Sequence, residues 1–292
     1  MEKEKNTEVD LRKVQMKSLD ILLFFKKFCD EHNLMFYFCG GCCIGTLRHK
    51  GFIPWDDDVD VFMPRKDYEL LKVLWEREVP EGKYTFCRVD ENHFVRSQLT
   101  AIVDNDTTFI KENQRDLDIP HGIRLEILPL DGCPDSRWKR AIQLMWGLIY
   151  QVFCLQQPPT SKGKAFEYIG KIALALFPSW KARTKVWKFA EKQMSKYPIE
   201  KCDKVTELCV RWGYMTNEYP REAFDSAVYK EFEGYQMPIP MGYDTYLKIA
   251  FGDYMQIPPK EKQVTCHDAV LIDPDHSYKM YKSMYGAADE RD

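Results

Sequence analysis

The sequence predicts an α/β fold of mixed α+β type, with a mixed sheet in the first half of the chain. Apolar residues at helical spacing predict an amphipathic helix over residues 10–32. The aromatic run 35–39 predicts a short buried strand, which stops at a pair of glycines. The alternating run 59–63 predicts a second strand, which ends at Pro64. Helix and strand patterns therefore alternate from the start of the chain.

The other patterns of the first half continue this alternation. Helices are predicted at residues 42–48 and 66–75, and strands at residues 84–88, 97–103 and 123–128. With 292 residues, 45% of them hydrophobic, the chain is long enough to bury a sizeable core.

Charge balance and cysteine content limit the partners and the compartment. Lys and Arg number 42 and Asp and Glu number 45, so there is no basic field that would attract a nucleic acid. The ten cysteines are scattered and no apolar signal region begins the sequence, which indicates reduced thiols in a cytoplasmic protein. Cys39 and Cys42 form a CxxC without a second metal-ligating pair, and we interpret them as packing residues.

The second half differs in character, because two strongly apolar runs lie between basic residues. The runs at 141–155 and 168–180 are shorter than the roughly 20 apolar residues that span a bilayer. Two interpretations stay open for residues 138–183: a pair of buried helices, or a hairpin on the inner face of a membrane beside a lipid-linked substrate. We predict a catalytic core over residues 1–135, a mainly helical extension over 136–286 that completes the substrate site, and a flexible tail over 287–292.

The run Trp55-Asp56-Asp57-Asp58-Val59-Asp60-Val61 carries the strongest chemical signal. Side chains alternate along a strand, so Asp58 and Asp60 project to the same side, where Asp56 can join them. Clustered carboxylates repel one another without a cation, and oxygen ligands select Mg²⁺ or Mn²⁺ over Zn²⁺. A solvated loop or a Ca²⁺ site is the alternative, but the run leads directly into an apolar strand. We therefore predict a catalytic divalent metal at Asp58 and Asp60.

A glycine pair precedes this acidic run. Gly40 and Gly41 lie between a strand and a predicted helix, where free N–H groups and the helix dipole favour a phosphate. The pair is a weak signal alone, but a glycine turn followed by Asp-x-Asp on the next strand suits a metal–diphosphate site. Arg48 and Lys50, near the end of that helix, are candidates for further phosphate contacts. Solvated surface positions explain these two cations equally well.

A third carboxylate is expected near the metal, and Glu126 is the best candidate. It is an acid inside the apolar stretch 122–131, and burial of an unpartnered carboxylate is costly. Metal ligation or proton transfer would relieve that cost, whereas a salt bridge to Arg124 is not expected. Asp131 is a secondary candidate, and His121 is interpreted as a turn residue.

With these residues the chain resembles the LicD-like phosphotransferase family, which includes bacterial phosphocholine transferases and the fukutin-related proteins of animals. The tryptophan followed by aspartates is the most specific part of the likeness. Matching positions are Gly40, Gly41, Gly45, Arg48, the run 51–60, Arg65, Asp67, Tyr68, the stretch 122–131, Tyr246, Leu247, the run 251–254, Pro258 and Pro259. Glu126 stands where the family usually has aspartate, and Phe251 where it often has tyrosine.

The resemblance implies a nucleotidyltransferase-like catalytic core with Mg²⁺ at Asp58 and Asp60. It also implies a CDP-activated alcohol, most often CDP-choline, as donor. Phosphocholine would pass to a hydroxyl of a cell-surface glycan or teichoic-acid precursor, on a free or lipid-linked acceptor, with release of CMP. A cationic head group needs aromatic faces. The candidates are Trp55, Trp212, Tyr214, Tyr243 and Tyr246.

Two rival functions remain at this point. A nucleotidyltransferase would attack an NTP such as CTP and release pyrophosphate, so the nucleotide consumed distinguishes it from a phosphotransferase. A non-catalytic CDP-alcohol-binding protein would bind the donor without turnover, and a change at Asp60 would not impair its function.

Overall fold

The computed structural model describes residues 10–157, 164–265 and 269–281. Its helices are α1 (Leu11–His32), α2 (Gly40–His49), α3 (Arg65–Glu78), α4 (Arg137–Leu155), α5 (Lys164–Leu176), α6 (Trp180–Met194), α7 (Trp212–Met215) and α8 (Tyr243–Phe251). Its strands are β1 (Tyr37–Phe38), β2 (Val59–Pro64), β3 (Tyr84–Cys87), β4 (Thr100–Asp104), β5 (Thr108–Lys111), β6 (Arg124–Cys133), β7 (Lys204–Glu207), β8 (Tyr219–Pro220), β9 (Ala227–Phe232), β10 (Tyr235–Pro240) and β11 (Ala269–Asp273). The predicted mixed α/β fold is confirmed.

The main sheet has seven strands, and β6 is its central element. Strand β2 pairs with β6 in parallel, with β1 antiparallel on its outer side. On the other side of β6, β4 pairs with its first half and β7 with its last residues, both antiparallel. Strand β3 extends the sheet from β4, and β8 extends it from β7. Ten residues long, β6 is thus the strand on which both halves of the chain meet.

Helix α1 shows how local sequence sets an element and how packing then uses it. The Asp10 side chain accepts the N–H of Lys13 at the start of the helix, and Asn33 ends it in the left-handed region at φ 53°. The apolar face between these caps packs with α3 against β2 and β6. Burial of that face gives α1 most of its stability, since the intrinsic helix propensity of its residues stabilises an isolated helix only weakly.

The second part of the chain is helical first and contains strands later. Helices α4 and α6 pack together around a second apolar cluster that includes Tyr150, Phe153, Trp187 and Met194. After them the chain returns to the main sheet as β7 and β8. The β9–β10 hairpin and α8 then pack into the first core, where Phe232, Ile239 and Tyr246 are buried.

The predicted boundary at residue 135 falls between the end of β6 and the start of α4, and the division into domains stays a prediction. The predicted tail at 287–292 lies outside the described residues. Within the described ranges, no helix combines the length and apolar character needed to cross a membrane.

Glu207 gives the fold a pH dependence that can be measured. It lies buried in β7 and accepts a hydrogen bond from the Tyr219 hydroxyl. Burial raises the pKa of Glu207 from its ordinary value to about 7, against the smaller opposing effect of that hydrogen bond. A raised folded-state pKa means that the stabilising contribution is complete below the unfolded pKa of about 4.3 and is lost as the pH rises through 7.

We expect Glu207→Gln to be more stable than the wild type above pH 7, by on the order of 1–3 kcal/mol, because the amide keeps an acceptor oxygen without a charge. At about pH 4 the difference should vanish. Urea unfolding at several pH values measures both. An equal difference at every pH would show that Glu207 does not titrate in this range.

Candidate active site

The acidic loop, residues 55–58, leads into β2, and two other elements donate hydrogen bonds to the backbone of this region. The buried side chain of Gln15, on α1, donates to the carbonyl oxygens of Ile53 at 3.2 Å and Asp56 at 2.8 Å. The Cys39 N–H, at the end of β1, donates to the Asp60 carbonyl at 3.2 Å. The loop therefore has a fixed path where the carboxylates enter the sheet, and Gln15 is a positioning residue that the sequence did not reveal.

Asp60 and Glu126 lie side by side because β2 and β6 run in parallel. The two residues are direct partners in the strand register. Burial raises the pKa of Asp60 well above its ordinary range, and the charges of Asp58, Glu126 and Asp56 raise it further. The charges of the other three carboxylates predicted as metal ligands therefore all act on Asp60.

One oxygen of this group receives no hydrogen bond from the part of the chain that the structure describes. Asp60 Oδ1 is buried and accepts no hydrogen bond from the described residues. A buried carboxylate oxygen without a donor is costly unless something outside the protein satisfies it. Nevertheless, across the described residues no three His, Cys, Asp or Glu side chains are arranged to hold a metal ion.

Glu126 has a cationic partner that the sequence did not predict. Lys111, at the end of β5, places its Nζ 2.8 Å from Glu126 Oε1. Burial raises the pKa of Glu126, but the charges of Lys111 and Arg124 together outweigh it, so the pKa lies below its ordinary value. Glu126 is therefore ionised at neutral pH. The Arg124 guanidinium donates to the Gln114 side chain and to the Phe109 carbonyl. The cation that pairs with Glu126 therefore comes from β5 and not from its own strand.

The predicted glycine turn touches the acidic loop. Gly40 has φ +47°, which a residue with a side chain rarely adopts, and it begins α2. A Cβ on Gly41 would collide with the carboxylate of Asp56, so only glycine allows this approach. The two motifs singled out in the sequence thus meet at the N-terminus of α2, where the helix dipole favours an anion.

The C-terminal helix α8 also reaches this turn. The Tyr246 hydroxyl accepts the Gly40 N–H at 2.9 Å. Phe251 lies against the position of Gly40, and its ring is 5.6 Å from that of Tyr214. Of the aromatic residues proposed to contact a head group, Tyr246 and Tyr214 are thus near the glycine turn. Phe251 joins them as a residue that sequence reasoning did not single out for this role.

Arg48 and Lys50 lie at the far end of α2, about 12 Å along the helix axis from Gly40. Arg48 donates to the carbonyls of Tyr254 and Gln256 and lies over the Trp55 ring. Lys50 pairs with Glu231 at 3.6 Å. The structure therefore does not bring these two cations together with the glycine turn, and phosphate binding by them stays a prediction.

The two secondary candidates have structural partners. Both oxygens of Asp131 accept from Arg65, at 2.8 and 2.7 Å, and the Asp131 side chain is fully buried. A ring nitrogen of His121, Nε2, lies 3.0 Å from the Leu117 carbonyl oxygen, as expected of a turn residue. Asp131 follows Glu126 on β6, but its charge is already neutralised by Arg65 of α3.

A mixed sheet with carboxylates at the start of one strand, facing a glycine turn, defines a domain of the nucleotidyl- and phosphotransferase type. Residues 33–122 match the family model described as LicD/FKTN/FKRP, nucleotidyltransferase domain. The chain is also 30% identical over 269 residues to the lipopolysaccharide cholinephosphotransferase LicD of Haemophilus influenzae, covering 89% of this chain and 97% of that protein. The chain belongs to the LicD family.

The ion pair between Arg65 and Asp131 gives a test that separates structural from catalytic acids. We expect Asp131→Asn to lower the free energy of unfolding by roughly 2–4 kcal/mol, because Arg65 loses a buried counter-charge. Urea unfolding measures this change. A variant of normal stability without turnover would mean that Asp131, and not Glu126, is the third acid of the site.

Proposed function

We propose that this protein transfers phosphocholine from CDP-choline to a hydroxyl of a cell-surface glycan or teichoic-acid precursor and releases CMP. It is an enzyme of the transferase class, as its family membership and the name of its cholinephosphotransferase relative support. The observation that carries the proposal is the buried Asp60 Oδ1, which accepts no hydrogen bond from the described residues and lies beside Glu126.

The donor set suits Mg²⁺ or Mn²⁺. Asp58 and Asp60 supply hard oxygen ligands, and a cation would satisfy the Asp60 oxygen to which no described residue donates. Mg²⁺ in phosphate-transfer sites is commonly held by one or two carboxylates, with substrate phosphates completing its shell. Two carboxylates are therefore sufficient at a site where no three of the described acidic, histidine or cysteine side chains converge. When bound, the ion would neutralise charge on the diphosphate.

The side chains opposite the metal residues have their own roles in this proposal. Glu126, held ionised by Lys111, accepts the proton of the acceptor hydroxyl as it attacks the phosphorus. Lys111 also supplies a positive charge beside the reacting phosphoryl group. Asp56 lies against Gly41, and its charge acts on Asp60 from the side of the glycine turn.

The glycine turn and its aromatic neighbours orient the donor. The positive end of the α2 dipole attracts the diphosphate. Tyr214 and Phe251, whose rings lie 5.6 Å apart beside the turn, offer faces for the quaternary ammonium of choline. Rigid placement of both ends of the donor contributes to the rate by alignment.

A second candidate function is nucleotidyl transfer from CTP or another NTP. The match of residues 33–122 to a model described as a nucleotidyltransferase domain favours it. The same carboxylates would then act on the α-phosphate, and pyrophosphate would leave instead of CMP.

We expect Asp58→Asn, Asp60→Asn and Glu126→Gln each to lower turnover of CDP-choline by at least roughly a hundredfold. For the two aspartate variants, stability without added metal should stay level or rise, because each removes a charge from a repelling cluster. Release of CMP measures the rate, and thermal unfolding measures the stability. Asp20→Asn, an exposed change on α1, is the matched control. Near-normal turnover of both aspartate variants at saturating Mg²⁺ would rule out the metal assignment.

Ligand-induced stabilisation identifies the donor independently of turnover. A ligand at 100 times its dissociation constant should stabilise the protein by about 2.7 kcal/mol. We expect this shift with CDP-choline in the presence of Mg²⁺, and smaller shifts with CDP-ribitol, CDP-glycerol and CTP. Preference for CTP with release of pyrophosphate would favour the nucleotidyltransferase. Stabilisation by CDP-choline without CMP release, with any acceptor tried, would point to a binding protein.

A further inference from the structure

Helix α4 is apolar on its outer side as well as its inner side. Its inner face buries residues such as Tyr150 and Cys154 in the second core. Its outer face exposes Trp138, Ile142 and Met145, which lie at helical spacing, and Trp138 is 83% exposed. A helix that packs against the protein on one side only usually has polar residues on its exposed face.

Helix α6 extends this outer surface and adds positive charge. Phe189 is exposed, and its ring lies 5.2 Å from that of Trp146 on α4, so the apolar surface continues from one helix to the next. The exposed lysines of α6 follow a spacing of four, three and four residues, which places them along one face. They are Lys181, Lys185, Lys188 and Lys192.

Helix α5 presents a third apolar face. Tyr168, Ile169, Ile172 and Leu176 are exposed, Leu176 to 71%. The opposite side of α5 buries Leu174 against the second core. We call the exposed apolar and basic residues of α4, α5 and α6 the outer helical surface.

The charge on this part of the chain indicates which partner covers it. Residues 136–196 contain twelve Lys and Arg but only two Asp and Glu, although the whole chain has a net charge of −3. A second copy docked through the same surface would bring like charges together. An anionic bilayer instead attracts lysines and accepts tryptophan and aliphatic side chains at its headgroup boundary.

We propose that the outer helical surface binds the face of a membrane rich in anionic phospholipid, with α4, α5 and α6 lying on it without crossing it. This combines the two interpretations of residues 138–183: the inner faces of the helices are buried in the protein, and their outer faces meet lipid. Binding to lipid needs neither donor nor acceptor, so this inference can fail while the proposed transferase activity stands, and the reverse also holds.

Exposed residues of the outer helical surface can be substituted to test lipid binding without a loss of stability, whereas residues packed against the second core cannot. Trp146 and Leu148 pack against the second core, so a charge at either position would destabilise the protein whether or not lipid binds. Trp138 and Leu176 are better, because their exposure lets Trp138→Gln and Leu176→Gln keep the stability of the wild type. Lys185 and Lys192 test the charge, whereas Lys188 pairs with Glu91 and is left unchanged.

The test is co-sedimentation of the full-length protein with vesicles of phosphatidylcholine, with and without phosphatidylserine. We expect binding only to the anionic vesicles, with loss at about 0.5 M salt, where charges are screened. The double variant Lys185→Gln/Lys192→Gln should bind at least about tenfold more weakly. Trp138→Gln/Leu176→Gln should also weaken binding without a change in thermal unfolding.

Matched controls carry the same types of substitution on other surfaces. Val73→Gln, on α3, and Lys230→Gln, on β9, change exposed residues outside the outer helical surface and should bind like the wild type. No binding to anionic vesicles would overturn the proposal, as would binding that the outer-surface variants do not weaken. A concentration-dependent dimer in light scattering that Trp138→Gln abolishes, without vesicle binding, would assign the surface to a second copy instead.

Discussion

The candidate site depends on the parallel pairing of β2 with β6, which puts Asp60 opposite Glu126 at half-buried positions. Two carboxylates in this position repel each other and lose hydration, so the fold must supply compensation. Lys111 supplies part of it for Glu126. For Asp60 the described residues donate no hydrogen bond to Oδ1, and this is the observation behind the proposed cation site.

Strand β6 shows how neighbouring elements decide the role of an acid. Glu126 and Asp131 lie five positions apart on one strand, and both are buried at the side chain or nearly so. Asp131 meets Arg65, which begins α3 and holds both of its oxygens, so it contributes to stability. Glu126 instead pairs with Lys111, whose ammonium is a single flexible point charge that reaches it from β5.

The elements with strong periodicity were predictable, and those set by distant pairing were not. Helix α1 and strand β2 were predicted within a residue of their bounds. Strand β7 is short and pairs with β6, from which it is far apart in sequence, so no local pattern reveals it. The two-residue strand β8 joins the sheet only through β7. The apolar run 168–180 predicts a single helix, whereas in the structure Pro178 lies between the end of α5 and the start of α6. Lys111 and Gln15 reach the site by tertiary contacts, which local spacing does not encode.

The order of strands around β6 has a consequence for how this architecture can vary. Antiparallel neighbours such as β6 and β7 can be joined by a turn of two residues. Here the chain instead leaves the sheet at Cys133, forms α4, α5 and α6, and returns at Lys204. Because both ends of this excursion are fixed at adjacent positions, its length and surface can change while the sheet and the carboxylates stay in place. This segment can therefore diverge during evolution, and adapt to different surroundings, without a change in the residues of the candidate site.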